Sequence, residues 1–433
     1  MQLTEQHSIS KSDARYAAID AVAFASKNLY NQVVYQFRQA YIHEGRYLSY
    51  AEVFHRVKHL DCYQALPRKV SNSILILIDK NWRSFRNALA QWYEHPEKFT
   101  GRPSLPGHKP KEKGRNILIY DVQAIGKRAF KQTGKLVPSG LGIEIETRVK
   151  WEALDQIRII PRGSCYVIEV VYHKAEKPAA VDPTLVAAID LGVNQLAAIT
   201  SSKPGFVPRL VNGRPLKDLN HFYNQQRAHL QSQLARQNRK TSRKLDQITT
   251  KRNRRVNAYL HTASRRIITM LVEEGIGTLV IGLNKQWKQA VEMGRRTNRS
   301  FVQIPHSRFI QMVQYKAQLV GITVIVREES YTSKASFLDL DAIPIYDPTR
   351  QEKPTFSGKR ETRGLYRAKD GRRIQADVNG SYNILRKEFS HAFSDSQARP
   401  GQEIAGCAVV PYRLVAKRRE DTVSSVVTGR LNG

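Results

Sequence analysis

Cysteine is scarce in this sequence. Only three occur in 433 residues, and they stand far apart, at Cys62, Cys165 and Cys407. No two of them form a Cys-x-x-Cys pair, so the chain offers neither a disulfide framework nor the four thiolates of a zinc site. The simplest expectation is that all three are small buried residues.

The sequence also lacks a long uncharged apolar run and an amino-terminal signal sequence. A transmembrane helix needs roughly 20 consecutive, mostly apolar residues, so we do not expect a membrane partner. We expect a cytoplasmic protein.

Acidic residues are few relative to basic ones. The chain has 38 Asp and Glu against 70 Lys and Arg, a net charge of +32 and a pI near 10.1. This excess is far larger than solubility requires and is typical of proteins that bind the phosphate backbone of nucleic acids. We therefore expect the protein to associate with the nucleoid when it is bound to DNA. The length of 433 residues indicates two or three structural units.

The amino-terminal part combines helical and β patterns. Residues 13–95 carry helix-spaced apolar positions on both sides of Pro67, which predicts a helical lobe. Between 116 and 175, short strand-like segments alternate with turn residues and predict a small antiparallel sheet or barrel. We assign 1–12 and 96–180 to this β domain.

The carboxy-terminal part, 181–393, has a different order of elements. Three strands precede two long helices, and a strand, a helix, a strand and a last helix follow. This order is the plan of a ribonuclease-H-like α/β domain. A basic insertion, 330–375, precedes the last helix, and we expect 394–433 to be an extended, partly disordered tail.

Three acidic residues stand where this plan would bring them together. Asp190 closes the first strand, Glu329 follows the fifth, and Asp377 opens the last helix. Two hard cations need oxygen ligands on rigid elements, so these carboxylates predict a site for two Mg²⁺. Asn379 and Asn383, one turn apart, can order the adjoining loop or orient the ligand. The structural alternatives are surface acids at a strand end and, for Asp377, a helix cap.

The second of the three acids does not stand at the end of the fourth strand, where a ribonuclease-H-like domain usually has it. The fourth strand, expected between the first and the fifth, ends at Gly282 and Asn284 and offers no carboxylate. Neighbouring strands lie roughly 4.8 Å apart, so a glutamate from the fifth strand can cross above the glycine. Alternation puts Glu328 and Glu329 on opposite faces, and only one should reach the metals. We prefer Glu329 and keep Glu328 as the fallback.

Basic side chains mark possible nucleic-acid contacts. Some stand beside aromatic residues that could stack on bases, whereas others belong to dense positive runs. The alternative for each is an ordinary solvated helix face or a charged exposed loop. The candidates are Lys80, Arg83, Arg86, Arg243, Lys244, Lys251, Arg252, Lys334, Arg360 and Arg363.

At these residues the chain resembles the TnpB family, the OrfB-type transposon-encoded RNA-guided nucleases related to type V CRISPR effectors. The resemblance spans about residues 8–416 and is densest in DLGVNQLAAIT, REESYTSKASFLD, FSGKRETRGLYRAKDGRR and ADVNGSYNIL. Within this family, the chain is similar to the subgroup whose second catalytic glutamate lies in the segment before TSK. The resemblance implies a RuvC nuclease domain at 181–393, an oligonucleotide-binding-like wedge barrel, and a helical recognition lobe inserted into that barrel.

The resemblance also implies partners and cofactors. They are a guide RNA from the transposon end, a double-stranded DNA target with a short adjacent motif, and Mg²⁺. Asp190 and Asp377 carry over as metal ligands, and Glu329 carries over only through the relocated form, because the usual position is Gly282. Relatives hold the insertion with a four-cysteine zinc site, whereas 330–375 contains no cysteine, so no zinc is expected.

The sequence therefore predicts an RNA-guided DNA endonuclease of a transposon that uses two-metal hydrolysis. An alternative is an RNA-guided DNA-binding protein with lost or weak cleavage, acting as a transcriptional blocker or a targeting subunit. Gly282 motivates this alternative, and the retention of all three acids argues against it. A transposase that performs strand transfer is a weaker alternative.

Overall fold

The structure is a computed structural model that describes residues 1–283, 303–347, 354–393 and the backbone of 412–414. The chain divides into two compact units, Met1–Ala175 and Glu176–Gly433. Both contain helices and strands, so the fold is mixed α/β, as predicted. Within the described ranges, no helix combines the length and the apolar character needed to cross a membrane.

Helices fill the stretch of the first unit for which the sequence predicts them. The four are α1 (Tyr16–Glu44), α2 (Tyr50–Val57), α3 (Asp61–Gln64) and α4 (Arg68–Glu94). Pro67 stands at the N-cap of α4, where its missing N–H is not needed by the helix. The buried ring of Trp82 in α4 stacks on Phe37 of α1, with centroids 5.4 Å apart.

We expect Trp82→Ala to lower the free energy of unfolding of the first unit by about 3–5 kcal/mol, because it leaves a cavity against Phe37 and Phe85. Urea unfolding of the full chain measures the change. Tyr93→Ala on the same helix is the control: Tyr93 is 64% exposed, and we expect a loss below about 0.5 kcal/mol. Equal stability of the two variants would contradict the packing described here.

The β part of the first unit is an antiparallel sheet with the order β1-β6-β5-β2. Pairing of β1 with β6 brings the first residues of the chain to strands that follow the helices. The edge strands are β1 and β2, and the barrel stays a prediction. The elements are β1 (Gln2–Ser10), β2 (Leu118–Asp121), α5 (Lys127–Thr133), β3 (Lys135–Leu136), β4 (Ile145–Glu146), β5 (Leu154–Arg162) and β6 (Cys165–His173).

The second unit contains a larger, mixed sheet with the order β11-β10-β7-β8-β9-β15. Its first and fourth strands, β7 and β10, are adjacent and parallel, and the fifth lies beyond the fourth, as the sequence predicts. The strands are β7 (Asp182–Leu191), β8 (Gln195–Ser201), β9 (Arg209–Asn212), β10 (Ile276–Gly282), β11 (Thr323–Arg327) and β15 (Tyr412–Leu414). Of the predicted tail, 394–433, only β15 is described, and it pairs with β9.

Helices cover both faces of this sheet. They are α6 (Arg214–Arg236), α7 (Arg243–Glu273), α8 (His306–Leu319) and α9 (Ala376–Glu388). Side chains alternate along β7, so Ala187 and Ile189 join the core formed with α7 and α8, whereas Val186 and Ala188 pack against α9. Because both faces are covered, every residue of β10 is buried.

The basic insertion contains structure that the sequence analysis did not predict. Its three short strands, β12 (Lys359–Thr362), β13 (Leu365–Arg367) and β14 (Arg373–Gln375), form an antiparallel sheet. Of the cysteines, Cys165 is buried as expected and Cys62 is only half-buried. Cys407 and Asn284 lie outside the described residues.

Candidate active site

Asp190 lies near the end of β7, on the face that α9 covers. It continues the alternation of Val186 and Ala188, which pack against that helix. A Cβ atom on Gly380 of α9 would lie only 2.6 Å from Asp190 Oδ2. The helix can therefore approach the carboxylate this closely because position 380 has no side chain.

Glu329 reaches across the end of β10. Ile281 pairs with Ile189 in parallel register, so the next residues, Gly282 and Asp190, end neighbouring strands side by side. A Cβ atom on Gly282 would lie 2.6 Å from Glu329 Oε2. The Glu329 carboxylate thus occupies the space that a side chain at position 282 would take. This is the crossing expected from the sequence, and the role of Glu329 as a metal ligand stays a prediction.

Glu328 points elsewhere. Its Oε2 accepts a hydrogen bond from Lys387 Nζ at 2.5 Å, and its Oε1 accepts one from the Ser330 backbone N–H at 2.6 Å. Burial raises the pKa of Glu328, but these hydrogen bonds outweigh it and hold the pKa below its ordinary value. Glu328 is therefore a paired carboxylate directed at α9, whereas the Glu329 carboxylate lies over Gly282.

Asp377 lies in the first turn of α9, but it does not cap the helix. The cap is Gln375, whose side-chain oxygen accepts from Val378 N at 2.7 Å. Gln375 Nε2 also donates to Asp377 Oδ2 at 3.0 Å, and Arg360 Nη2 lies 3.5 Å from Asp377 Oδ1. The capping alternative for Asp377 is thereby excluded, and its carboxylate is directed toward Arg360 of the insertion.

The three candidate carboxylates act on one another electrostatically. Burial raises the pKa of Asp190 well above its ordinary value, and Glu329 and Asp377 add to the rise, whereas Arg360 opposes it. The pKa of Glu329 rises to about 7, chiefly through burial and then through Glu328, against the opposing effect of Lys387. The fold therefore concentrates negative charge where water does little to stabilise it, and a cation would relieve this repulsion.

The donor set fits magnesium. Among the described residues, no three His, Cys, Asp or Glu side chains form a ready-made metal-binding group. The three converging side chains nevertheless offer only carboxylate oxygens, which suit Mg²⁺ and lack the nitrogen and sulfur typical of zinc sites. Gly282 and Gly380 leave the room in which the Glu329 and Asp190 carboxylates lie. Mg²⁺ is therefore a cofactor that Asp190, Glu329 and Asp377 are suited to hold.

Hydrogen bonds hold the insertion where the family resemblance would place zinc. Asp341 accepts from Ser357 Oγ at 2.6 Å and from Ser336 N at 2.8 Å. Asp339 accepts from Lys369 N at 2.9 Å, and its Oδ2 lies 2.9 Å from Ser357 Oγ, whose one hydroxyl hydrogen serves both carboxylates. Two carboxylates thus bridge the two halves of the insertion without thiolates.

We expect the purified protein to contain no stoichiometric zinc, because the insertion lacks thiolates and its carboxylates already accept internal hydrogen bonds. Elemental analysis measures bound zinc, and thermal unfolding with and without a zinc chelator measures its effect on stability. Asp341→Asn serves as the positive control for loss of the bridge and should lower the unfolding temperature. One tightly bound zinc per chain would contradict this expectation.

The predicted nucleic-acid candidates differ in their surroundings. Arg252 is half-buried, and its guanidinium donates to Asn220 Oδ1 at 2.8 Å and to the Gln303 carbonyl at 2.9 Å. These contacts link α7 to α6 and to residue 303, which indicates a structural role for Arg252. The exposed candidates are Lys80, Arg83, Arg86, Arg243, Lys244, Lys251, Lys334, Arg360 and Arg363. For them, nucleic-acid contact stays a prediction.

Sequence analysis missed Lys387. Its side chain is 4% exposed and contacts Glu328, although a lysine near a helix end is usually solvated. Lys387 follows Asn379 and Asn383 at intervals of four residues, which places all three on one helix face. That spacing of polar residues in a buried helix is the pattern that could have revealed it.

Known proteins match this chain over most of its length. The OrfB_IS605 family, described as a probable transposase, matches residues 169–288, and the Cas12f1-like TNB domain matches 306–384. TnpB-like protein ORF457 of Acidianus two-tailed virus is 23% identical over 418 residues, covering 84% of this chain and 82% of that protein. The Cas12f1 structure solved with sgRNA and target DNA is similar in fold, with 14% identity and a TM-score of 0.50, covering 85% of this chain and 82% of that one. These matches and the sheet order described above make the chain similar to TnpB-type proteins.

Proposed function

We propose that this protein is an RNA-guided DNA endonuclease that hydrolyses phosphodiester bonds with two Mg²⁺ held by Asp190, Glu329 and Asp377. The observation that carries the proposal is the convergence of these carboxylates at the ends of β7 and β10, under α9. Carboxylates with raised pKa values, such as Asp190 and Glu329, are typical of functional sites. The similarity of the chain to TnpB-type proteins supports the same conclusion.

The chain supplies positions and charges, and no covalent nucleophile is required of it. When bound, the two ions would supply an activated water and stabilisation of the leaving 3′ oxygen. Asp190 would hold ligand oxygens near the end of β7, Glu329 would hold them on the loop after β11, and Asp377 would hold them on the first turn of α9. Arg360, which lies beside Asp377 and is 44% exposed, is placed to neutralise charge on the phosphate.

The proposed partners are a guide RNA from the transposon end and double-stranded target DNA with a short adjacent motif. The net charge of +32 supports binding to phosphate backbones irrespective of sequence. Pairing between guide and target would then select the site, while the protein reads duplex shape and the adjacent motif. We assign the sheet and the helices of the first unit to the wedge and the recognition lobe, respectively.

The test begins with the protein expressed beside its native flanking DNA. Sequencing the copurified RNA identifies the guide, and a plasmid library with randomised bases next to a matched target is then incubated with the complex and Mg²⁺. We expect cleavage only of matched plasmids with a preferred adjacent motif. Omission of RNA, addition of EDTA, and a plasmid without the match are the controls.

Two other outcomes would each select another function. Tight, RNA-dependent target binding without cleavage would establish the binding-only alternative, which the Gly282 departure motivates. Joining of DNA strands in the absence of RNA would establish a transposase, the activity in the description of the matching family. Neither outcome is compatible with the endonuclease proposed here.

A further inference from the structure

The helix that carries Asp377 also carries a row of buried polar side chains. Asn379, Asn383 and Lys387 are spaced by four residues and therefore share one face of α9; we call them the α9 stripe. Both asparagines are fully buried, and the Lys387 side chain is 4% exposed. Buried polar groups are costly unless hydrogen-bonded, so the partners of the stripe show what it does.

The two asparagines bind the backbone of one segment. Asn379 Oδ1 accepts from Phe337 N at 2.9 Å, and Asn379 Nδ2 donates to the Ala335 carbonyl at 2.8 Å. Asn383 Nδ2 donates to the carbonyls of Ala335 and Thr332, at 2.7 and 2.9 Å. These amides thus satisfy backbone groups in the turns that follow β11.

Lys387 binds the same segment one turn further along α9. Its Nζ donates to the Ser330 carbonyl at 3.0 Å and to Glu328 Oε2 at 2.5 Å. Glu329 lies between these two residues in the chain, and its carbonyl accepts from Thr332 Oγ1 at 2.8 Å. Lys387 therefore holds the chain on both sides of Glu329. Apart from Arg386 of α9 itself, which donates to Asn383 Oδ1 at 3.3 Å, the hydrogen-bond partners described for the stripe lie in the 328–337 segment.

The 328–337 segment needs external support. It contains no regular strand or helix, and Tyr331 adopts a left-handed backbone conformation with φ of 67°. A bulky residue in this conformation carries strain that the surrounding structure must offset. The neighbouring Arg327–Glu388 ion pair, at 3.0 Å, joins the same strand end and helix only through side chains, and Arg327 is 43% exposed. Of the ion pair and the α9 stripe, only the stripe bonds backbone groups of the segment. Outside α9, Tyr366 Oη donates to the Lys334 carbonyl at 2.7 Å.

We propose that the α9 stripe positions Glu329, so that its carboxylate crosses Gly282 and meets Asp190 and Asp377. A glutamate on the loop after β11 has more freedom than one within a strand, and the stripe removes that freedom. The same helix carries Asp377 in its first turn, so α9 sets two of the three proposed ligands. This inference rests on the proposed function for the role of Glu329, and on the hydrogen bonds for the anchoring itself.

Lys387→Met tests the positioning role. We expect the cleavage rate at saturating target to fall by roughly 10- to 100-fold, the range for loss of groups that orient metal ligands. The Mg²⁺ concentration for half-maximal rate should rise, while guide and target affinities stay unchanged. Lys387→Arg should recover part of the rate, and Glu388→Gln, its neighbour on α9, should behave like the wild type. In a Glu329→Ala background, Lys387→Met should cause no further loss, because it acts through Glu329.

Hydrogen exchange tests the anchoring without any cleavage. Peptides covering 328–337 should exchange faster in Lys387→Met and in Asn383→Ala than in the wild type or in Glu388→Gln, with peptides of β7 and β10 unchanged. Unchanged exchange in both variants would overturn the anchoring. Faster exchange with wild-type cleavage would overturn the positioning role. A wild-type protein that cleaves no target would instead refute the proposed function, and the exchange rates would then decide the anchoring alone.

Discussion

Asp190→Asn should abolish target cleavage, with a rate at least about 10³-fold below that of the wild type, because several kcal/mol of transition-state stabilisation depend on metal held at this carboxylate. Asparagine keeps the shape of the side chain and removes its charge. Asp190 is the carboxylate on which both Glu329 and Asp377 act. Single-turnover cleavage with a bound guide measures the effect. Target binding should change by less than about twofold, since we expect basic side chains, and not Asp190, to bind the DNA backbone.

The stability of the same variant gives a second readout. Charge at Asp190 is disfavoured by burial and by the neighbouring carboxylates, so Asp190→Asn should be at least as stable as the wild type in EDTA. Asp182→Asn is the matched control, with the same change at the opposite, exposed end of β7. Its cleavage rate should stay near that of the wild type. Wild-type cleavage by Asp190→Asn would refute the assignment of this residue.

Gly282→Ala should lower cleavage by about 10- to 100-fold while costing little stability. The new Cβ would lie 2.6 Å from Glu329 Oε2 and 2.4 Å from Ile384 Cδ1. Both atoms are the ends of flexible side chains, so each can move without unfolding the protein. The atom that must move is nevertheless the proposed ligand oxygen, and displaced ligands cost roughly this much activity. Cleavage assays and thermal unfolding of the same preparation separate the two effects.

A comparison of glutamate variants then identifies the ligand. Glu329→Gln should lose at least as much activity as Gly282→Ala, and the double variant should lose no more than Glu329→Gln, because both changes act on one carboxylate. Glu328→Gln should lose less, since its effect passes through Lys387. Gly364→Ala is the control for a glycine with open space around it. If Glu328→Gln were the more damaging change, Glu328 would replace Glu329 in the site.

The sheet order was predictable because its determinants are local. Apolar runs such as those of β7 and β10 indicate buried strands, and the helix-spaced residues between them indicate crossovers, which leaves few arrangements. Asp190 and Asp377 could be selected for the same reason, since each stands at the end of a recognisable element. The strands of the insertion could not be predicted. Their sequences, KRET, LYR and RIQ, are too short and too charged to show the two-residue alternation of a strand.

Contacts between distant residues decided the remaining assignments. Arg252 and Lys387 are both basic residues in helices, yet one binds Asn220 and the other binds Glu328, and neither partner is near in sequence. Their roles follow from which helix face meets which segment. Charge patterning in the sequence does not contain that information.

The sequence by itself determined the composition of the candidate site: three carboxylates, a glycine at the end of the fourth strand, and many basic residues. It did so because residue type and strand alternation fix which chemistry each element can present. Only the tertiary structure decided that Glu329 lies over Gly282 while Glu328 pairs with Lys387. That choice depends on how closely α9 approaches the strand ends, which is a property of packing across the sheet.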